Sequence, residues 1–240
     1  MLMKNNSPFR KLALGVKRFW ISWRWYVVFI FCVWIPVRSV IADYSPVPTG
    51  SMNPTILEGD VVYVNKLAYE LRVPLTLRRI ATWGDPKRGD IVVVFSPADG
   101  ERLVKRVIGV PGDVIAMSGD RLTINGAPLV YGLPREAYAD KIPSTYRSEA
   151  VFAEENLTGV EHAVEILPKR YSDRRSFAPI TVPTGKVFVM GDNRDNSRDS
   201  RYFGFAERSA VIGRVQAVLV SWDIKDTYLP RLNRFFTSLR

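Results

Sequence analysis

The sequence has almost none of the side chains that most often carry metal or thiol chemistry. Its 240 residues include one cysteine, Cys32, and one histidine, His162. A lone cysteine excludes an intrachain disulfide, so cysteine usage says nothing about the redox compartment. So few cysteines and histidines also argue against zinc, and we predict no metal site and no cofactor. His162 follows a polar stretch, and we expect its side chain to be solvated rather than catalytic.

Acidic residues are absent from the first part of the chain. Residues 1–24 contain no Asp or Glu, whereas the whole chain has a formal net charge of +10. Nucleic acid is the usual partner of a basic chain, but here the basic block adjoins an apolar segment. That arrangement favours an anionic membrane surface, rather than nucleic acid, as the partner of the basic block. The basic side chains of this block are Lys4, Arg10, Lys11, Lys17, Arg18 and Arg24.

Long apolar runs are also scarce, and the longest lies within residues 19–42. Its uninterrupted centre covers only residues 25–37, whereas a membrane-spanning helix needs about 20 residues. Arg24 and Arg38 bracket the centre and can extend to the lipid headgroups. We predict one transmembrane helix, which makes the lipid bilayer a partner of the protein. Its N-terminus would be cytoplasmic and residues 43–240 would lie on the outer side of the membrane. An interfacial or buried helix is the alternative. A cleaved signal peptide is disfavoured, because no clean small-x-small cleavage site follows the segment.

The remainder of the chain is typical of short strands separated by turns. Runs rich in β-branched residues predict strands, and Asn125-Gly126 predicts the tip of a hairpin. The predicted strands are 60–66, 89–95, 102–109, the hairpin 121–129, 186–190 and 213–220. Residues 67–88 are expected to be an exposed loop, and 130–180 an inserted lobe without strong chemistry of its own. The predicted divisions are a basic tail (1–18), a transmembrane helix (19–42), a β core (43–129 and 181–224), the inserted lobe (130–180) and a C-terminal tail (225–240).

Three polar stretches carry the candidate chemistry. In Pro48-Thr49-Gly50-Ser51-Met52-Asn53-Pro54-Thr55, the glycine permits a bend and the prolines stiffen its flanks, which exposes the Ser51 hydroxyl. A linker between an anchor and a domain is the competing interpretation of this stretch. A serine nucleophile needs a base, and a lysine serves if burial makes it neutral near pH 7.

Lys105 lies in an apolar run, and strand alternation places it on the same face as Leu103 and Val107. A solvated lysine on an edge strand is the alternative. The third stretch, residues 191–201, contains no apolar side chain. It is either a solvated loop or a functional loop whose acids, amides and arginines build a buried hydrogen-bond network around a base.

Taken in order, these motifs resemble those of the type I signal peptidases (leader peptidases), the membrane-bound serine/lysine proteases of bacteria. The resemblance covers most of residues 38–224, apart from 67–88 and 130–180. The matching motifs are Pro48-Thr49-Gly50-Ser51-Met52-x-Pro54-Thr55, Gly59-Asp60, Arg88-Gly89-Asp90-Ile91-Val92-Val93-Val94-Phe95, Lys105-Arg106-Val107-Ile108-Gly109-Val110-Pro111-Gly112-Asp113 and Gly191-Asp192-Asn193-Arg194-Asp195-Asn196-Ser197-x-Asp199-Ser200-Arg201.

The resemblance implies roles for individual residues. It implies that Ser51 is the nucleophile and Lys105 the general base, and that the Ser51 backbone N–H and the Thr49 hydroxyl form the oxyanion hole. Ser197 would orient the lysine, and Asp199 and Arg201 would form a supporting ion pair. The residues that would line small apolar substrate pockets are Val47, Met52, Leu103 and Val104.

The resemblance also implies a fold, a substrate and a location. The fold would be mainly β, with a catalytic core of antiparallel sheets and a smaller variable lobe after one transmembrane helix. The substrate would be a preprotein with small residues before the cleavage site, bound as an added strand and hydrolysed through an acyl-enzyme. The enzyme would lie in the inner membrane, with its catalytic domain on the outer side. The sequence is silent on oligomeric state.

Two rival interpretations remain open at this point. A self-cleaving protease of the SOS-repressor type also uses Ser and Lys on a β fold, but it needs an N-terminal DNA-binding helix set where residues 1–42 offer a membrane segment. The other rival is a non-enzymatic, membrane-anchored β domain whose three polar loops contact a ligand.

Overall fold

The computed structural model describes residues 20, 22–73, 76, 78–133, 150–170, 172–225 and 227–239, and the predicted basic tail 1–18 lies outside them. Antiparallel strands dominate, which confirms the predicted mainly-β fold. The strands are β1 (Ala42–Pro46), β2 (Asp60–Asn65), β3 (Glu70–Arg72), β4 (Arg79–Thr82), β5 (Ile91–Phe95), β6 (Arg102–Gly109), β7 (Val114–Ser118), β8 (Arg121–Ile124), β9 (Ala127–Pro128), β10 (Val130–Gly132), β11 (Val151–Leu157), β12 (Val160–Ile166), β13 (Phe177–Thr181), β14 (Lys186–Met190), β15 (Ala206–Glu207), β16 (Val211–Ser221) and β17 (Thr237–Ser238).

The N-terminal apolar segment forms a helix, α1, over Ser22–Val40. Its 19 residues make it long and apolar enough to cross a membrane by length and composition alone, and none of its described side chains is buried in the protein. A π-helical turn occupies Ile30–Trp34. The helix ends two residues before the predicted boundary, because Ala42 already pairs with Asn65 as the first residue of β1. The membrane span itself stays a prediction.

The largest sheet has eight strands in the order β1-β2-β16-β5-β6-β14-β15, with β17 added to β16. β5 lies near its centre, between β16 and β6, and hydrophobic clusters cover both of its faces. Val93 packs in one cluster, and Val92 and Val94 pack in the other. This two-sided burial explains why β5 contains consecutive valines rather than an alternating pattern.

The predicted alternation along β6 is also confirmed. Leu103 and Val107 pack in one hydrophobic cluster, whereas Val104 packs against the cluster on the opposite face. Lys105 is paired with Val92 of β5 and lies on the Leu103 face. The hairpin prediction holds as well, because Asn125 and Gly126, between β8 and β9, both have positive φ (53° and 80°), as the favoured two-residue hairpin turn requires.

One segment differs from its predicted character, and the C-terminal tail is part of the body. Residues 67–88, expected to be an exposed loop, contain the β3–β4 hairpin, in which Glu70 and Arg72 are buried and paired. The C-terminal tail packs on the body: β17 pairs with β16, and Arg234 forms a buried ion pair with Asp60 at 2.6 Å. In both segments, charged side chains are buried together with an oppositely charged partner.

The predicted inserted lobe contains two kinds of strand. β10, β11 and β12 form a three-stranded sheet of their own, whereas β13 joins the four-stranded sheet β13-β7-β8-β9. The division of the chain into a core and a variable lobe stays a prediction.

One remaining helical element matters for the site. The short helix α2 (Ser200–Phe203) begins at the end of the polar stretch 191–201, and 3-10 turns lie at Gly50–Met52, Lys66–Ala68, Arg208–Ala210 and Leu232–Arg234. The first of these turns carries Ser51.

Candidate active site

Ser51 lies on the 3-10 turn between β1 and β2. Met52 anchors this turn, because its side chain is fully buried in the main hydrophobic cluster and its carbonyl accepts the backbone N–H of Ile56. Gly50 is closely packed: a Cβ at this position would lie 2.8 Å from Asn53 Nδ2, so the Asn53 side chain would have to shift. The predicted fixed bend is therefore present, and it is a packed part of the body rather than a linker. Ser51 was wrongly expected to be exposed: it is buried, with 9% of its surface exposed, and it lines a cleft.

Lys105 contacts Ser51 although the two residues are 54 positions apart. Its Nζ lies 2.7 Å from Ser51 Oγ and also donates to the Val104 carbonyl at 3.1 Å. The lysine is only 2% exposed, so it is not the solvated edge-strand residue of the alternative interpretation.

Burial sets the ionisation of this amine. The loss of solvation lowers the pKa of Lys105 to about 8, even though the charges of Asp199 and Asp192 act to raise it. The Arg201 charge acts in the same direction as burial. With this pKa, about a tenth of Lys105 is an unprotonated amine at pH 7 and about half is at pH 8, with its lone pair next to a hydroxyl.

The polar stretch 191–201 is buried over most of its length, which contradicts the interpretation as a solvated loop. Its charges are tolerated because they are paired. Both oxygens of Asp199 accept hydrogen bonds from the Arg201 guanidinium at 2.9 Å, and one also accepts the Gly191 N–H at 3.0 Å. Burial alone would raise the pKa of Asp199, but these hydrogen bonds and the Arg201 charge hold it below its usual value.

Ser197 and Thr49 line the same cleft as Ser51 and Lys105. The Ser197 hydroxyl is buried without a well-formed hydrogen bond in the described part of the chain, although it helps to lower the pKa of Asp199. It packs against Gly191, where a Cβ would lie 2.3 Å from it. Thr49 is exposed and its side chain does not cap the 3-10 turn, so its hydroxyl is available. The roles of both residues stay predictions.

The cleft beside Ser51 has a volume of about 730 Å³ and is open to solvent. Of the four residues expected to form apolar substrate pockets, Leu103 lines this cleft. Val47 and Met52 are instead members of the main hydrophobic cluster, and Val104 packs against it. These three side chains pack in or against the hydrophobic core, and their contact with a substrate stays a prediction.

Sequence reasoning missed a buried junction beside the site. Arg106, which is fully buried, forms two hydrogen bonds to Asp192 at 2.7 and 2.8 Å and donates to the Gly89 carbonyl at 2.9 Å. Thr55 Oγ1 donates to the same carboxylate at 2.6 Å. The available signal was an arginine inside an apolar run, which needs a buried acid somewhere else in the chain.

His162 was wrongly expected to be solvated. It is 5% exposed, on β12, with Nε2 3.4 Å from Glu155 Oε1. Burial and the Arg106 charge lower the pKa of His162 to about 4, so the imidazole is neutral at neutral pH. Its burial arises because β12 packs against the stretch 191–201, a contact that no local pattern reveals.

These features agree with comparisons to known proteins. The family model described as "Signal peptidase, peptidase S26" matches residues 20–222. The signal peptidase I of Pseudomonas fluorescens is 36% identical over 225 residues, 87% of this chain and 74% of that protein, and the Pseudomonas aeruginosa enzyme is 36% identical over 224 residues, with the same coverage. A crystal structure of a signal peptidase I from Enterococcus faecalis is 32% identical, covers 55% of this chain and 98% of that one, and superposes with a TM-score of 0.34.

The antiparallel β body and its cleft, together with the family match, define the class of this protein as a peptidase. Within that class, the chain belongs to the signal peptidase family, peptidase S26.

Proposed function

We propose that this protein is a membrane-anchored endopeptidase that removes N-terminal signal peptides from preproteins with a Ser51–Lys105 dyad. The family assignment supports the reaction, and the 2.7 Å contact between Ser51 Oγ and a buried lysine of lowered pKa supports the dyad. The match over residues 20–222 also favours this function over a self-cleaving repressor or a non-enzymatic domain.

The first half of the reaction forms an ester on Ser51. Neutral Lys105 takes the hydroxyl proton as Ser51 Oγ attacks the scissile carbonyl, and the negative charge develops on the carbonyl oxygen. The backbone N–H of Ser51 and the Thr49 hydroxyl donate to that oxygen. The tetrahedral intermediate then collapses, and protonated Lys105 gives its proton to the leaving amine, which becomes the N-terminus of the mature protein.

The second half hydrolyses the ester. Lys105, neutral again, takes a proton from a water molecule that attacks the acyl carbonyl. The second tetrahedral intermediate breaks its bond to Ser51 Oγ, which recovers its proton from Lys105. The signal peptide leaves with a free carboxylate, and the lysine and serine return to their starting states.

The position of the site suits a substrate presented from the bilayer. Helix α1 ends at Val40, and the turn that carries Ser51 begins at Gly50, with β1 between them. Even a fully extended chain covers only about 3.3–3.6 Å per residue, so this connection reaches at most about 36 Å. We propose that α1 spans the membrane with its N-terminus in the cytoplasm, which places the cleft on the outer face near the surface.

The function is tested by cleavage of a model preprotein in detergent or vesicles, with the product identified by N-terminal sequencing. We expect the full-length enzyme to cut once, after a segment with small residues at the last and third-last positions. A matched preprotein with a bulky aromatic residue at the last position should be cut far more slowly. Equal cleavage of both substrates, or of neither, would contradict the proposed function.

Replacing Asp199 with Asn tests how its charge acts on Lys105. The Asp199 carboxylate raises the pKa of Lys105 against burial, so its neutralisation lowers that pKa further. The acid limb of the pH–rate profile should therefore move to lower pH, because the amine loses its proton at lower pH. The folded state should lose about 3–5 kcal/mol, since Arg201 is left buried without its partner. A limb that moves to higher pH in the folded variant would contradict this assignment.

A further inference from the structure

The loop that contains Asp192, Asn193 and Arg194 lies between the catalytic turn and β12. On one side, the Asn193 N–H donates to the Ser51 carbonyl at 3.1 Å. On the other side, the Glu165 N–H donates to the Asp192 carbonyl at 2.9 Å, and the Arg194 N–H donates to the Glu165 carbonyl at 2.8 Å. Residues 192–194 thus pair with the end of β12 and with the nucleophile's own turn.

A buried ion pair fixes the same loop to the rest of the three-stranded sheet. The Arg194 guanidinium donates to both oxygens of Glu155, on β11, at 2.7 and 2.9 Å. The Tyr131 hydroxyl, on β10, donates to Glu155 Oε2 at 2.7 Å. The arginine is 1% exposed and the glutamate is fully buried, so the pair is shielded from solvent and its geometry is fixed by several hydrogen bonds at once.

From Arg194 the connection continues to the lysine. The Arg194 carbonyl accepts a hydrogen bond from Arg201 at 2.6 Å, and Arg201 is the partner of Asp199. Asp199 in turn is the acid whose charge most strongly opposes the effect of burial on Lys105. A displacement of Arg194 would therefore move both catalytic side chains. Ser51 would be affected through the hydrogen bond from Asn193. Lys105 would be affected through Arg201 and its partner Asp199.

We propose that Glu155, oriented by Tyr131, is a positioning residue for the peptidase reaction, so that the sheet β10–β12 supports the catalytic centre. This inference rests on the proposed function. Glu155 touches neither substrate nor the reacting atoms; it acts through Arg194. The groups that face its carboxylate are Arg194 from the loop, Tyr131 from β10 and His162 from β12, whose Nε2 is 3.4 Å away and is neutral above acid pH.

The competing explanation is that the pair only fills buried space. Replacement of both members of a buried ion pair by apolar residues of similar volume is often neutral or stabilising, whereas removal of one partner is destabilising. A double replacement therefore separates the two explanations, because it restores stability without restoring the hydrogen bonds that orient the loop.

The experiment compares the full-length wild type with Glu155→Gln, Tyr131→Phe and the double variant Glu155→Met/Arg194→Met, and uses Glu161→Gln, an exposed acid on β12, as the control. Each protein is measured for its urea unfolding midpoint, for kcat and KM on one model preprotein, and for the pH dependence of kcat. We expect Glu161→Gln to match the wild type. Tyr131→Phe should lower the midpoint, because Glu155 and the Leu122 N–H each lose a hydrogen-bond partner, and it should lose several-fold in kcat.

For the double variant we expect a midpoint near that of the wild type and a kcat lower by on the order of 10²-fold, since small misplacements of catalytic groups have effects of this size. KM should change little. The acid limb of the pH–kcat profile should move to lower pH, because Asp199 raises the pKa of Lys105 less when the two side chains are farther apart. Glu155→Gln should show the same kinetic changes with a lower midpoint. If Glu155→Gln does not fold, the double variant alone tests the positioning role.

A double variant with wild-type midpoint, kcat and pH limb would overturn the positioning role and leave the proposed function intact. A folded wild type that fails to cut any preprotein would instead remove the proposed function and this inference with it.

Discussion

Replacement of Ser51 with Ala is expected to lower kcat for preprotein cleavage by on the order of 10⁴–10⁶-fold, the range found when a serine protease loses a member of its catalytic unit. In the proposed mechanism, the alanine removes only the oxygen that forms the ester. The backbone of the turn stays in place, because it is anchored by Met52 and by the Asn193–Ser51 hydrogen bond. Single-turnover cleavage at saturating enzyme measures the loss directly, without a contribution from product release.

The matched control is Ser45→Ala, which removes the same hydroxyl from a buried position on β1, the strand that precedes the turn. It should retain near wild-type cleavage. If Ser51→Ala cleaved at a rate within tenfold of wild type while folding normally, another group would have to be the nucleophile, and the proposed chemistry would be wrong.

Replacement of Lys105 with Met is expected to give the second largest loss, on the order of 10⁴-fold in kcat. Met has a similar length and suits the buried site, but it cannot accept a proton, and a base within 2.7 Å of the hydroxyl is lost. Lys105→Arg should be almost as inactive, because a guanidinium stays protonated at every accessible pH. Because the proposed mechanism has serine and lysine act as one unit, the double variant with Ser51→Ala should be no worse than the poorer single variant.

Lys186→Met serves as the control for the lysine series. This lysine lies on β14 of the same sheet, pairs with the half-exposed Glu207 at 3.0 Å and does not line the cleft. We expect it to retain wild-type kcat. A folded Lys105→Met enzyme with more than a tenth of wild-type activity would show that the lysine is not the base.

Much of the architecture followed from local sequence patterns. The apolar run of β5, which begins at Ile91 and continues through three valines, was predictable because burial of both sheet faces leaves a direct trace in the sequence. The alternation of Leu103, Lys105 and Val107 along β6 was readable for the same reason. The resemblance to the signal peptidase motifs implied a pairing of Ser51 with Lys105, and the fold brings these two residues together.

The buried polar network was less accessible to sequence reasoning. No local pattern predicts that Arg194 pairs with Glu155, and only their pairing across 39 positions makes burial of both charges tolerable. His162 was wrongly expected at the surface for the same reason: its environment is built by β11 and the stretch 191–201, not by its neighbours in the chain. Local patterns predict which side chains of a strand face the core, but they do not predict which distant charged side chains form a buried pair.

The central claim is that Lys105 is the neutral base of the dyad, and its ionisation is measured most directly by NMR titration of protein labelled with ¹³C at the lysine side chains. The Lys105 signal is assigned by its disappearance in Lys105→Met. We expect a midpoint near 8, in accord with the buried amine, and a preprotein cleavage rate that rises with pH through the same midpoint. A Lys105 midpoint near the ordinary value of about 10.4, together with a cleavage rate that does not change between about pH 6 and pH 9, would contradict the account.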